Sequence, residues 1–95
     1  MPRKWKPPLP PNQLRRYRRS RHLRIVDVAK LIGLKSPAHI AHWEKGRKLP
    51  SLKNALKLSA AISCPIEVMF RDFLEELRQG VRANEEAHHI KRIYE

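Results

Sequence analysis

Apolar residues recur along most of this chain at the three- and four-residue spacing of amphipathic helices, and no stretch alternates with the two-residue period of a strand. Leu14 and Tyr17 mark the inner face of a first helix that Asn12 can cap, with Arg15, Arg16, Arg18, Arg19 and Arg21 around it. Ile25, Val28, Ala29 and Ile32 mark a second helix. Gly33 stops it, because glycine accepts the left-handed conformation that helix C-termini often need. Ser36 caps a third helix with Pro37 at its first position, where a missing N–H costs nothing, and that helix ends at Gly46. Pro50 and Ser51 open a fourth, whose predicted inner face is Leu52, Ala55, Leu56, Leu58 and Ala61. Pro65 starts a fifth, carrying Val68, Met69, Phe73, Leu74 and Leu77, which Gly80 interrupts. Residues 81–95 keep a weaker helical pattern through Val81, Ala87, Ile90, Ile93 and Tyr94, as a short helix or a frayed tail. The pattern predicts an all-α fold of five helices.

Ahead of the first helix the pattern changes. Five of the ten residues 2–11 are proline, which forbids a regular helix or a central strand and predicts a semi-extended arm. Arg3, Lys4 and Lys6 could track phosphates or enter a minor groove with Trp5 stacking nearby; the other readings are an inert tail and a polyproline ligand. The chain thus divides into a basic, proline-rich, disordered arm (1–11), a helical domain (12–79) and a tail or short helix (80–95).

At 95 residues the chain is of single-domain size, and a domain this small buries only about 60–65% of its extended-chain surface, so its core must be local. The one cysteine, Cys64, rules out an internal disulfide and reads as a buried, inert thiol. No 18-residue apolar run suggests a membrane span, and no apolar stretch follows the basic N-terminus as in a secretory signal, so a cytoplasmic location is expected. The net charge of +12 is steeply polarised: residues 1–24 carry +9, residues 25–62 carry +5, and residues 63–95 carry −2. Such asymmetry points to a polyanionic partner at one end. Nucleic acid fits better than a membrane, because no segment combines a wide apolar face with a uniformly basic one.

The stretch 25–46, IVDVAKLIGLKSPAHIAHWEKG, reads as two short helices about a glycine turn, the form of a helix-turn-helix whose second helix enters the major groove of DNA. On a helical wheel Ile40 and Trp43 project to one side of that second helix. Ala38, Ala41, His42 and Lys45 project to the other, with His39 on the flank beside Trp43. Small residues permit close approach to base edges, the Ala38 methyl can touch a thymine methyl, and histidine can donate to guanine O6 or N7. His39 and His42 lie three apart, but no third ligand follows at usable spacing, so no metal and no cofactor is expected.

From Leu14 to Phe70 the chain resembles the phage-repressor and Cro-like helix-turn-helix family, also called the xenobiotic-response-element type. The resemblance rests on Arg18, Ala29, Gly33-Leu34, Ile40, Glu44, Gly46, Pro50-Ser51, Leu56, Leu58 and Ile62, in order and near the family spacing. It implies a compact, five-helix, lambda-repressor-like DNA-binding domain. It also implies an ion pair between Arg18 and Glu44 tying the first helix to the end of the third; Ile40 and Trp43 are read as core from their inward position at helical spacing, where a Trp more often packs than stacks on bases. Three features depart from the family pattern. Arg24 and Ile25 stand where a Ser or Asn cap and a Gln are usual. The turn into the third helix, GLKSPAHI, is one residue longer, as in a GLKS-type subgroup. The usual Gln or Arg reading positions hold Pro37, Ala38 and His42.

The implied function is sequence-specific binding of double-stranded DNA by a transcriptional regulator, a repressor or autoregulator of bacterial or phage origin. The expected DNA-contacting residues are Arg24, Lys35, Ser36, Ala38, His39, His42, Lys45, Arg47 and Lys48, with phosphate contacts outnumbering base readers. Family members often bind palindromes as dimers, and Phe70 to Leu77 with the C-terminal tail is the candidate dimer surface; completion of the monomer core is the other reading of that segment. The alternative function is an antitoxin-like or bridging adaptor using the same domain. An enzyme lacks support: no carboxylate pair, no Ser or Cys with a paired His and no phosphate-cradling glycine loop is visible.

Overall fold

A computed structural model describes residues 9–92, and these form helices with no strand among them. In chain order they are α1 (Leu14–Ser20), α2 (Ile25–Ile32), α3 (Ala38–Glu44), α4 (Leu52–Ile62), α5 (Ile66–Met69) and α6 (Arg71–His88). Residues 1–8, which hold Arg3, Lys4, Trp5 and Lys6 of the expected arm, and residues 93–95 lie outside the described part.

The all-α class holds, with one helix more than the pattern predicts. The expected fifth helix divides at Phe70, whose φ of −117° and ψ of 40° leave the helical region. The two helices meet at that residue, Phe70 N–H donating back to Ile66 O (3.0 Å) as α5 ends and Phe70 O accepting from Leu74 N–H (3.0 Å) as α6 begins. Gly80 does not end the helix that follows. Interior glycine costs about 1 kcal/mol against alanine, which a helix of 18 residues absorbs. The helix stops instead at His89, left-handed at φ 55°.

The core gathers Leu14, Val28, Ala29, Ile32, Ile40, Trp43, Leu58, Ile62, Cys64, Met69 and Phe70 from every helix except α6. Two expected inner residues of α4 are corrected here, since Leu52 is 75% exposed and Leu56 56% exposed. At 100° per residue they lie roughly 120° and 160° around the axis from the fully buried Leu58, so they cannot share its face. α4 is leucine-rich on more than one side, and the true inner stripe is Ala55, Leu58, Ala61 and Ile62. Phe70 is core rather than free surface, which removes it from the candidate dimer face. Leu77 is exposed rather than a continuation of the core stripe, and no residue of α6 is buried.

The helix ends explain why the short segments hold their places. Gly33 closes α2 in the left-handed region at φ 84°, and Lys57 Nζ donates to Ile32 O at 3.2 Å, placing a cation at the negative end of that helix. Ser51 Oγ accepts from Asn54 N–H (3.1 Å) at the start of α4. At its other end Arg21 donates from Nε to Ile62 O (2.9 Å) and from Nη2 to Ser63 O (3.1 Å). Asn12 joins two elements, its Oδ1 accepting from Leu14 N–H (3.0 Å) and its Nδ2 donating to Trp43 O (2.9 Å). α1 therefore begins at Leu14, after Gln13, whose N–H donates to Met69 O (2.7 Å).

Candidate nucleic-acid interface

α3 has seven residues, too few to persist as an isolated helix, so its orientation comes from tertiary anchors. Ile40 and Trp43 sink into the core on one side. Ser36 Oγ accepts from Ala38 N–H (3.1 Å) at the N-terminal end, while Asn12 holds Trp43 O at the other. Pro37 follows Ser36 with helical φ and ψ (−76° and −5°), and its carbonyl accepts from Ala41 N–H (3.1 Å), so the side-chain cap is Ser36, as the sequence pattern expects.

The strongest anchor is ionic. Arg18 Nε donates to Glu44 Oε2 at 2.5 Å and Nη2 to Oε1 at 3.1 Å, a two-pronged pair whose side chains are only 9% and 7% exposed. A third bond, from Arg18 Nη1 to Leu23 O (2.8 Å), uses the remaining edge of the guanidinium. The planar fork of arginine suits this arrangement, and lysine could not reproduce it. The pair ties α1 to the last residue of α3, with the α1–α2 turn bound in through Leu23.

With the inner face fixed, the outer face of α3 is left to solvent. Ala38, His39 and Lys45 are exposed, and Ala41 and His42 are half-buried. The His39 ring lies beside Trp43, with centroids 6.2 Å apart and planes tilted by 31°. Lys35 and Ser36 are exposed at the N-terminal end of this face, and Arg47 and Lys48 in the loop beyond its C-terminal end. Ser36 is already engaged as an acceptor by Ala38 N–H, which leaves its hydroxyl hydrogen free to donate.

Arg24 is differently placed from a plain surface cation. Its backbone N–H donates to Asp27 Oδ2 (2.8 Å), and its guanidinium reaches both carboxylate oxygens through Nε (3.1 Å) and Nη2 (3.0 Å). Hydrogen bonds from the Arg24 side chain and backbone hold the Asp27 carboxyl below its usual value, at about 2, and Asp27 raises Arg24 in return. An arginine has no acceptor to offer the first turn of α2, so Asp27 supplies the return half of a capping box and the other half is missing.

Arg24 and Lys45 also share a cleft of about 630 Å³ with Arg15, Arg19 and His22, its wall completed by Ala41 of α3 and by the Arg18–Glu44 pair. The sequence pattern sets Arg15 and Arg19 around the first helix but outside the expected DNA contacts, and leaves His22 unmarked; the signal for the two arginines is their four-residue spacing, which puts both on one face. Lys35, Ser36, Ala38, Arg47 and Lys48 do not line the cleft and lie along the remainder of the α3 surroundings.

Comparison with known proteins gives the same architecture. A helix-turn-helix family model matches residues 14–69, more than half of the chain. The solved structure of the restriction-modification controller protein C.AhdI from Aeromonas hydrophila is similar, at 31% sequence identity and a TM-score of 0.56, with 61% of this chain and 86% of that one covered. No curated protein matches the sequence. With the glycine-stopped α2, the anchored α3 and the matched segment in agreement, the chain belongs to the Cro/C1-type helix-turn-helix family of DNA-binding transcription regulators.

Proposed function

We propose that this protein is a sequence-specific regulator of transcription, acting as a repressor of its own or a neighbouring operon, that lays the outer face of α3 in the major groove of double-stranded DNA. The carrying observation is the two-sidedness of α3: Ile40, Trp43 and Glu44 are spent inward, while small and hydrogen-bonding residues are left outward on a short, anchored helix. Likeness to a protein described as a restriction-modification controller supports a regulatory role. In this reading Ala38, His39 and His42 face base edges, with Ser36 at the entry to the helix. Arg24, Lys35, Lys45, Arg47 and Lys48 hold phosphates. Phosphate contacts fix register and supply affinity, and base contacts supply preference. No helix among the described residues is long and apolar enough to cross a membrane.

Selection of bound duplexes from a random pool tests the reading. A single enriched site is the expected result. His42→Ala should then flatten preference at about one position of the site, worth 1–3 kcal/mol of discrimination, whereas Arg47→Ala should weaken enriched and random duplexes by one common factor. Identical behaviour of the two variants in a competition titration would remove the assigned division of roles.

The same reading includes a homodimer bound to two half-sites. Its support is α6, 18 residues long with none buried, whose half-buried Leu74 and exposed Leu77 and Val81 recur on one face beyond the family-matched segment.

A further inference from the structure

We propose that the cleft between α1, the start of α2 and the end of α3 is a second DNA contact, which takes the sugar-phosphate backbone beside the groove that α3 enters, with Arg15, Arg19 and His22 as contacts added to Arg24 and Lys45. The inference rests on the placement of α3 against DNA and extends the footprint onto α1, an element outside the helix-turn-helix itself.

Three observations carry it. The first is the sign of the cleft. Its one acidic side chain, Glu44, is fully engaged by Arg18 at the wall, so Arg15, Arg19 and Lys45 face the opening with no ion-pair partner among the described residues. Arg15 and Arg19 stand four residues apart on one helix, where like charges repel by a few tenths of a kcal/mol, and no carboxylate among the described residues pairs with either. An anion in the cleft offsets that repulsion.

The second is continuity. Ala41 and Lys45 belong both to the cleft and to the outer face of α3, so a duplex seated on α3 meets the cleft edge without a gap. At about 630 Å³ the space is far larger than one phosphate ion requires and suits a run of backbone. The third is that the cleft wall is built to stay open. The chain turns sharply at His22, left-handed at φ 58°, and is held there by His22 N–H on Arg19 O (2.9 Å) and by Arg18 on Leu23 O. Arg24 is the movable member. A phosphate entering the cleft competes with Asp27 for its guanidinium, whereas Arg15 and Arg19 need no such exchange.

The test is a salt titration of the full chain on two duplexes, one enriched by selection and one of scrambled sequence. Neutralisation of roughly 5 to 8 phosphates gives the unaltered protein a log–log slope of about −4 to −7. The Arg15→Gln/Arg19→Gln double variant changes two exposed residues, and an unchanged thermal melt shows that its fold is intact. Its slope should be shallower by about 2 on both duplexes, with low-salt affinity down by about tenfold or more and the preference ratio unchanged. Arg78→Gln on α6 should leave the slope alone. An unchanged slope in the double variant, with Arg47→Gln/Lys48→Gln still lowering it, overturns the cleft assignment and leaves the α3 reading standing. A preference ratio that falls with the slope also overturns it, because the arginines would then be acting on bases. A flat salt response of the unaltered protein on both duplexes overturns the α3 reading and the cleft together.

Discussion

At the scale of single residues, the five arginines of the first helical region show how one residue type divides its labour. Arg18 is buried against Glu44, Arg21 closes the end of α4, Arg16 lies 6.0 Å from the Tyr17 ring centroid, and Arg15 and Arg19 line the cleft. A buried pair is a poor place to remove one partner, because the survivor keeps its desolvation cost without its compensation. Glu44→Ala should therefore cost about 3–5 kcal/mol of unfolding free energy in a denaturant titration, while Arg18→Met/Glu44→Met should recover much of that loss. A Glu44→Ala loss below about 1 kcal/mol would place the pair with weak surface bridges. The sequence held part of this. Arg18 and Glu44 stood out through their match to the family pattern, whereas nothing in the run RRYRRSR marks Arg21 as a cap, since its acceptors, Ile62 and Ser63, lie 41 and 42 residues away. Long-range partners of like residues are set by how helices cross, which local pattern does not encode.

At the scale of elements, α2 shows a helix start made without a good cap residue. The Asp27 carboxylate bridges the backbone and side chain of Arg24, and the group is held at about 2 in place of 3.8. A carboxyl depressed by folding supports the fold above its unfolded value and loses that support as pH falls through its folded value. The difference in melting temperature between the wild type and Asp27→Asn should thus be constant above about pH 4 and close as pH drops toward 2. A gap that persists at pH 2 would assign the effect of Asp27 to something other than its charge. Helix boundaries near glycine and proline were largely legible, because Gly33, Pro50-Ser51 and Pro65 act on backbone geometry at their own positions. Local pattern is silent where the neighbouring element decides which face is buried. Leu52 and Leu56 look apolar enough to be core, yet α2 packs on the other side of α4. Gly80 looks like a stop, yet the helix turns hold on both sides of it.

At the scale of the whole molecule, charge and apolar surface separate. The basic cleft and loop surround α3, while α6 carries Leu77, Val81 and a net acidic set of side chains. If α6 pairs two copies, sedimentation equilibrium of the full chain should give twice the chain mass, and Leu77→Asp should return it to a single chain with its melting little changed, since Leu77 is outside the core. Binding to a two-half-site duplex should weaken in that variant more than binding to a single half-site. A single-chain mass for the unaltered protein would dismiss the dimer while leaving the α3 contacts untouched. The bonds that pin α3, from Asn12 at Trp43 O to Arg18 at Glu44, have a kinetic meaning as well. A seven-residue helix that had to fold on arrival would make most encounters with DNA unproductive. Here the reading surface exists before contact, so each collision steered in by the basic flanks presents a finished edge. Search along DNA can then proceed at the pace of diffusion rather than of helix formation.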